Sequence, residues 1–409
     1  MNEITLNEFR EIFKFIISNN RRLEDEGKKT TAIGLTSLPG LGKTMTVREL
    51  AEELGMTCVV VRLSQVEEIG DISGFPLKEY EVVINDEVKW LSNDLLQATA
   101  DCANYKFTGK SRMGYAPPAW LPQEFNEKGT IVFFDDYNRC NSLIANTIME
   151  IVNEGKHVSW ELPKYTNVIL SSNPDSGSFN VTSMDAAFLS RYVDFNIRFD
   201  IDNFAAWAEA YGMDNRAVNF ALYYNHELFD PNNENHLDTI NPRSYTTFAN
   251  IIAGIKDWEK PESLALILNI SKGCFHDQDN VVGSLFTTFI ANKLDKLVSP
   301  EDMLLKDWKK VKEEIEACVW DSNDNYHPEI AAVLHTRLLN YSINYLNNGN
   351  KADVFNDRIV ELVDNSNSKT EKRLFSEDLL FSIIKTMVGK FKAKTNKLLL
   401  NPAIRKKVL

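Results

Sequence analysis

The stretch SLPGLGKT (residues 37–44) decides the fold of this chain. It follows the apolar, β-branched run TTAIGLTS (30–37) and opens the helical pattern KTMTVRELAEELG (43–55). A glycine-rich turn that joins a strand to a helix and ends in Lys-Thr is the sequence pattern of a phosphate-binding loop. The sequence therefore predicts a strand, a P-loop and a helix at this point.

The residue types in the loop are suited to binding a phosphate group and its Mg²⁺ ion. Gly40 and Gly42 let backbone N–H groups turn inward, Lys43 reaches phosphate oxygens, and the Thr44 hydroxyl suits Mg²⁺. The loop departs from the usual motif because Ser37 stands where a first glycine is common; serine is small, so we interpret this as a variant. The alternative is a glycine-rich turn without a ligand. The predicted ATP contacts are Pro39, Gly40, Leu41, Gly42, Lys43, Thr44 and Met45.

Four more strand-like runs follow along the chain, separated by helical stretches. They are TCVVVRL (57–63), TIVFFDD (130–136), NVILSSN (167–173) and YVDFNI (192–197). Strands that alternate with helices indicate an α/β fold with a doubly wound, mostly parallel sheet, here of five strands.

The strand signal fades after about residue 200, and most of the remaining chain is helical in pattern. We predict a nucleotide-binding α/β domain over 1–200, a helical lid over 201–260 and a helical C-terminal extension over 261–409. A short leading helix is predicted over residues 7–17, from apolar residues at helical spacing.

Two carboxylates end the run IVFFDD (131–136). A buried parallel strand delivers residues at its C-terminal end to the ligand crevice of an open α/β sheet. Asp135 suits Mg²⁺, and Asp136 suits a general base that polarises the attacking water. The alternative is a strand end that carries two solvated acids.

Composition excludes several classes of protein. The 409 residues carry a net charge of −13, which argues against a surface built throughout for nucleic acid. The five cysteines form no CxxC pair and predict reduced thiols in a cytoplasmic setting. We expect no secretory signal and no membrane insertion, since no apolar run approaches the roughly 20 residues that a bilayer requires.

Segments between residues 31 and 245 resemble the MoxR-type AAA+ ATPases. They are VRLSQVEEIGDISG (61–74), FFDDYNRCNSLIANTIMEIVNEGKHVSW (133–160), VILSSNPDSGSFNVTSMDAAFLSRYVDF (168–195) and NPRS (241–244). The resemblance implies an ATP- and Mg²⁺-dependent ATPase with an inserted β-hairpin, which we place near residues 78–92.

The resemblance also implies roles for polar residues outside the P-loop. Asn173 matches the sensor-1 asparagine, which contacts the attacking water or the γ-phosphate. Arg191 matches the arginine finger at the subunit boundary, and Arg243 matches sensor 2 in the lid. Arg139 is expected to face a neighbouring subunit. The alternative for each arginine is a surface salt bridge. The family usually has Glu where Asp136 stands, so the shorter side chain puts the rate of turnover in doubt.

The leading hypothesis is a homo-oligomeric ring, expected to be a hexamer, that couples ATP hydrolysis to remodelling of a client or adaptor protein. Relatives in this family often work beside a protein with a von Willebrand A domain. One alternative is a nucleic-acid motor or restriction-type NTPase. Another is a slowly hydrolysing, nucleotide-gated scaffold.

The last 25 residues, 385–409, contain eight Lys or Arg residues and no acid. Such a basic tail suits nucleic acid, an anionic partner or an acidic patch on a neighbouring subunit. The alternative is a solvated terminal helix. The segment lacks Trp and Tyr, so it lacks the stacking residues typical of single-strand binders.

Overall fold

Parallel strands form the centre of the N-terminal half of the chain. The computed structural model describes residues 3–100, 105–174, 186–233, 239–402 and 404–405. It has two compact units, Met1–Arg198 and Phe199–Leu409, called here the N-terminal and C-terminal units. The three-domain division, including a boundary near residue 260, stays a prediction.

The strands of the N-terminal unit fall into three sheets. In chain order they are β1 Glu3–Ile4, β2 Ala32–Thr36, β3 Thr57–Arg62, β4 Phe75–Ile84, β5 Glu87–Ser92, β6 Lys106–Ala116, β7 Thr130–Asp135, β8 Lys156–His157, β9 Trp160–Glu161, β10 Thr166–Ser172 and β11 Tyr192–Ile197.

The largest sheet has six strands in the order β1-β11-β2-β10-β7-β3, and every pair is parallel. This confirms the α/β class and the five predicted strands, and it adds β1, which pairs with β11 but is too short to show a periodic pattern. Strand β10 lies between β2 and β7. The residues that follow these three strands therefore meet at one edge of the sheet.

Helices cover this sheet or connect its strands. They are α1 Leu6–Asp25, α2 Lys43–Leu54, α3 Gly70–Ser73, α4 Asn93–Ala100, α5 Ser142–Glu154 and α6 Ala186–Leu189. The leading helix was predicted to end at residue 17, but α1 continues to Asp25. Thr5 and Glu8 form a capping box at its start, and Asn20 is buried, where it donates a hydrogen bond to the Thr31 carbonyl over 2.9 Å. A polar residue that packs inward thus extends the helix beyond its apolar stretch.

The predicted hairpin is present. Strands β4 and β5 pair antiparallel from Glu79–Ser92 to Ile84–Glu87. A third strand, β6, pairs with the other edge of β4, so the insertion is a three-stranded sheet rather than a simple hairpin. Strands β8 and β9 form a separate short hairpin after α5.

The regular structure of the C-terminal unit's described residues is helical, apart from one isolated β-bridge between Trp320 and Tyr326. Its helices are α7 Ile201–Tyr211, α8 Asn215–Tyr223, α9 Asn225–Phe229, α10 Pro242–Ile252, α11 Pro261–Phe275, α12 Val281–Ala291, α13 Pro300–Leu305, α14 Trp308–Val319, α15 Pro328–Asn347, α16 Ala352–Asn367, α17 Glu377–Lys390 and α18 Lys392–Thr395. A single hydrophobic cluster joins them, from Phe204 to Ile404. No described helix is long and apolar enough to span a membrane.

The described part of the basic tail is built into this cluster. Met387, Leu398 and Ile404 are fully buried, and the Lys394 ammonium donates a hydrogen bond to the Leu346 carbonyl over 2.7 Å. The alternative of a solvated terminal helix therefore does not hold for these buried side chains, and the partner of the basic tail stays a prediction. Their apolar side chains pack inward while most of the lysines remain at the surface.

Candidate functional site

The P-loop between β2 and α2 has the backbone that its glycines allow. Gly40 and Gly42 have φ angles of +83° and +86°, in the left-handed region that other residues rarely adopt. Gly42 is also the N-cap residue of α2 and has no side chain with which to cap the helix. The first-turn N–H groups of α2 are thus positioned for an anion. Met45, in the same turn, has an exposed side chain.

Lys43 lies inside the loop rather than on its surface. Its side chain is only 8% exposed, and its ammonium donates to the Ser37 carbonyl over 2.9 Å and to the Ser37 hydroxyl over 3.1 Å. A third oxygen, Asn173 Oδ1, lies 3.4 Å away. The ammonium is therefore surrounded by oxygen acceptors, which phosphate oxygens can replace. Ser37, the departure from the usual motif, is one of these acceptors.

The first carboxylate of the acid pair contacts the P-loop threonine. The Thr44 hydroxyl donates to Asp135 Oδ2 over 2.8 Å, and the Ser171 hydroxyl donates to Asp135 Oδ1 over 2.5 Å. The contact joins the start of α2, which follows β2, to the end of β7. A hydroxyl and a carboxylate side by side are the oxygen ligands that Mg²⁺ prefers.

The second carboxylate faces different partners. Asp136 has φ +57°, a left-handed conformation that Asp tolerates better than most residues. Its N–H donates to the Ser171 hydroxyl over 3.0 Å, and its Oδ1 accepts from the Asn173 amide over 3.0 Å. This turn of the backbone separates the two neighbouring carboxylates, so that Asp135 meets the P-loop and Asp136 meets Asn173.

Asn173 is held from both sides. Asn138 donates to the Asn173 carbonyl over 2.7 Å and accepts from its N–H over 3.2 Å. Both residues are buried. The side chain of Asn173 is thereby placed between Lys43 and Asp136, with its oxygen toward the ammonium and its nitrogen toward the carboxylate. This orientation of the Asn173 amide satisfies both charged neighbours, because its oxygen accepts from the ammonium and its nitrogen donates to the carboxylate.

Further polar side chains continue along the strand ends. The Thr36 hydroxyl lies 2.7 Å from the Ser172 hydroxyl and donates to Asp194 Oδ2 over 3.0 Å. The pKa of Asp194 is raised, because the effect of burial outweighs that of the hydrogen bond from Thr36. These side chains form a second hydrogen-bonded group, across β2, β10 and β11, beside the group that contains the acid pair.

The three predicted arginines lie in different places. Arg139 Nη1 is 4.0 Å from Asp136 Oδ2 in the same unit, so it is near the acid pair. Arg191 is exposed and lies directly before β11. Its backbone N–H donates to the Phe188 carbonyl over 3.2 Å. Arg243 is exposed at the second position of α10, in the C-terminal unit. The roles assigned to them stay predictions.

Sequence reasoning missed two residues that organise the site. Ser171 bonds to both members of the acid pair, and Asn138 holds Asn173. Ser171 lies on β10 and Asn173 directly follows it, two residues apart in extended backbone, so both side chains point to the same face of the sheet. That alternation is the signal that could have identified Ser171.

Comparison with known proteins identifies part of the chain. Residues 35–192 match the sequence model of the AAA domain of the dynein-related subfamily. This range contains the P-loop, the acid pair, Asn173 and Arg191. The chain therefore has an AAA domain and is a P-loop ATPase. No curated protein matches the sequence significantly.

Solved structures resemble the chain only loosely. A point mutant of RuvB from Thermotoga maritima is 13% identical, with 81% of this chain and 91% of that chain covered and a TM-score of 0.37. The structure described as the Thermotoga maritima RuvB Holliday junction branch migration motor is 13% identical, with 80% and 89% covered and a TM-score of 0.35. Superpositions with TM-scores this low carry no inference about function.

Proposed function

We propose that this ATPase hydrolyses ATP with Mg²⁺ inside a homo-oligomeric ring and uses the energy to remodel a partner protein. The observation that carries the proposal is the position of Asn173, whose amide bridges the P-loop ammonium of Lys43 and the carboxylate of Asp136. A charged phosphate ligand and an attacking water would meet at such a point.

The P-loop residues bind the nucleotide. The Lys43 ammonium exchanges its contacts with Ser37 and Asn173 for phosphate oxygens, and the first-turn N–H groups of α2 receive the same charge. Because the ammonium is already enclosed by oxygen atoms, it needs little rearrangement to accept the ligand.

The Thr44 hydroxyl and the Asp135 carboxylate fit a Mg²⁺ ion. Their contact of 2.8 Å brings two hard oxygen donors together, and Ser171 fixes the other carboxylate oxygen. When bound, Mg²⁺ would neutralise charge on the phosphates. The hydrogen bond from Ser171 orients Asp135 for that purpose.

Asp136 and Asn173 serve the attacking water. Asp136 is the proposed general base, and the Asn173 amide orients its carboxylate. Asp135 is already bound to two hydroxyl groups, which leaves Asp136 as the carboxylate directed toward Asn173. Aspartate in place of glutamate shortens the reach to the water by one methylene.

Assembly into a ring is supported by the exposure of Arg191 within the AAA domain. An arginine that faces solvent in one subunit can reach the γ-phosphate held by its neighbour, where its fixed charge spreads the phosphoryl charge. We propose Arg243 as the sensor-2 arginine, from the resemblance of the NPRS segment (241–244) alone. The partner, a client or an adaptor with a von Willebrand A domain, is proposed from the MoxR-like segments alone.

The experiment that tests the proposal mixes two inactive variants. Arg191→Ala should retain ATP affinity, but its turnover should fall by a factor of about 10³–10⁵, the contribution of comparable arginines in GTPases. Lys43→Ala should lose tight ATP binding. In mixed rings, an intact P-loop from the first variant meets an intact arginine from the second, so part of the activity returns.

The mixture must be shown by mass photometry to contain mixed oligomers. Absence of recovery in such samples contradicts an arginine supplied by a neighbour. Activity of the parent should also rise with protein concentration as rings form by mass action. Strong stimulation by DNA at physiological salt would instead favour the nucleic-acid motor, because phosphate contacts survive there only when several cations act together.

A further inference from the structure

The turn that carries Arg191 is held on both sides by one buried tyrosine. The ring of Phe188 stacks on that of Tyr137, with centroids 5.6 Å apart and planes 16° apart. On the other side of Arg191, the Tyr192 hydroxyl forms a hydrogen bond with the Tyr137 hydroxyl. The Arg191 N–H closes the turn by donating to the Phe188 carbonyl. The backbone of Arg191 is therefore fixed relative to Tyr137.

Tyr137 is itself attached to the hydrolytic residues. It directly follows Asp136, and the next residue, Asn138, holds Asn173. Tyr137 and Tyr192 are only 4% and 6% exposed, so neither ring has room to move away. The contact thus joins the segment of the acid pair to the segment of the exposed arginine within one subunit.

We propose that Tyr137 and Tyr192 are positioning residues that set the place of Arg191 from the turn after the acid pair. The inference rests on the proposed function, in which Arg191 acts on the neighbour's nucleotide. The hydroxyl pair connects the turn after each subunit's own acid pair to Arg191, the arginine that the same subunit presents to its neighbour. A displacement at Asp136 therefore reaches Arg191 through one hydrogen bond and one stacked ring.

The Tyr137 and Tyr192 hydroxyl groups bond to each other, so loss of either one breaks the same contact. The stack of Tyr137 on Phe188 involves the ring and not the hydroxyl, so it remains when the hydroxyl is removed.

The test removes the hydroxyl groups singly. Tyr137→Phe keeps the stack on Phe188, and Tyr192→Phe keeps its ring in the same cluster. We expect kcat to fall about five- to tenfold in each variant, because each loses the same hydrogen bond, with KM for ATP changed less than about twofold. If the tyrosines only supported the fold, their loss would lower thermal stability, and kcat per folded subunit would stay parental. Tyr165→Phe is the matched control, because its hydroxyl donates to Asp25 over 2.7 Å before the opposite end of β10. It should keep the parental kcat.

The decisive measurement repeats Tyr137→Phe and Tyr192→Phe in the Arg191→Ala background. If both tyrosines act through Arg191, neither substitution lowers kcat further there, and mixing either single variant with Lys43→Ala restores activity as it does for Arg191→Ala. Full additivity with Arg191→Ala, or a parental kcat in both single variants, overturns the inference while leaving the proposed function intact. A parental kcat in Arg191→Ala itself refutes the arginine finger, and the inference falls with it.

Discussion

Buried polar side chains occur in both units of the molecule, but their surroundings differ. In the N-terminal unit one group gathers where β2, β7 and β10 end, and Lys43, Ser171 and Asn173 there are joined by hydrogen bonds to the acid pair or to each other. In the C-terminal unit one group lies along α15: His335, Arg337, Asn340 and Ser342. Within the described part of the chain, His335 Nε2, Asn340 Nδ2 and Ser342 Oγ are buried and have no hydrogen-bond partner.

The two groups of buried polar side chains should therefore affect different properties, the first catalysis and the second stability. A polar network at the edge of a parallel sheet converges on the place where a ligand binds, so changing one member should alter binding or rate. A polar atom inside a helical cluster has no such ligand, and burial without a partner lowers the stability of the fold. Substitutions in the N-terminal network should therefore change activity and spare stability, and substitutions along α15 should do the reverse.

The largest expected effect is in the N-terminal network. Asp136→Asn should lower turnover by about 10²–10⁴, the usual contribution of a general base, while ATP affinity and the thermal midpoint stay parental. Asparagine adopts the left-handed backbone at this position as readily as aspartate does. Asp86→Asn is the matched control, because Asp86 also has a positive φ but lies in the turn between β4 and β5. Steady-state hydrolysis and nucleotide titration measure both quantities.

If hydrolysis is unchanged in Asp136→Asn, another group is the base and the distinction between the two carboxylates is lost. Asp136→Glu makes a further test. The longer side chain restores the reach that the family usually has, but glutamate suits the left-handed backbone less well than aspartate. A rate above that of the parent would show that reach limits turnover.

The next effect should appear in the C-terminal unit as lost stability. Arg337 is fully buried, where its Nε donates to Glu209 over 3.2 Å and its Nη1 donates to Asn219 over 2.7 Å. Arg337→Leu leaves the buried Glu209 without its cation and should lower the free energy of unfolding by about 3–5 kcal/mol. ATP affinity of the folded protein should not change. Urea denaturation followed by circular dichroism measures the loss.

Removing both partners provides the control. Arg337→Leu with Glu209→Leu leaves no uncompensated carboxylate and should recover much of the stability. Burial raises the pKa of Glu209 to about 7, although Arg337 opposes the rise. Glu209 can therefore take up a proton below that pH, and the single variant should lose less stability at pH 6 than at pH 8. Equal losses at both pH values would contradict a stranded carboxylate as the cause.

Much of the site could be predicted from the sequence because its residues follow strands directly. GLGKT, the acid pair and Asn173 each stand at the end of an apolar run, and parallel strands bring such ends together. Residues whose role depends on the pairing of strands could not be predicted in this way. Ser171 bonds to the acid pair because β10 pairs with β7 in the register Leu170–Phe134.

The same limit explains the remaining differences. β1 has only two residues and owes its existence to pairing with β11. The basic tail looks solvated in the sequence because lysines dominate it, whereas Leu398 and Ile404 are buried in the C-terminal cluster. Tertiary packing, and not local pattern, decides all of these features.

The smallest effect expected is a pH dependence that originates in α15. Burial lowers the pKa of His335 to about 4, against 6.5 for the free side chain, and a hydrogen bond with the Leu379 backbone only partly offsets it. The neutral form is thus favoured in the folded state. The stability that this provides is complete above pH 6.5 and is lost as the pH falls toward 4, because the unfolded chain binds a proton there and the folded chain does not. The loss between pH 7 and pH 4 should be at most about 3 kcal/mol.

His335→Leu should flatten this part of the stability profile in urea unfolding at pH 7, 6 and 5. His226→Asn is the control, since His226 is 78% exposed and pairs with Asp230 over 3.0 Å, so its removal should leave the acid-side slope in place. Parallel loss of stability in the parent and in His335→Leu would assign the slope to other groups. ATP turnover per folded subunit at pH 7 should be the same in the parent and in His335→Leu, because the buried polar residues of α15 affect stability and not catalysis.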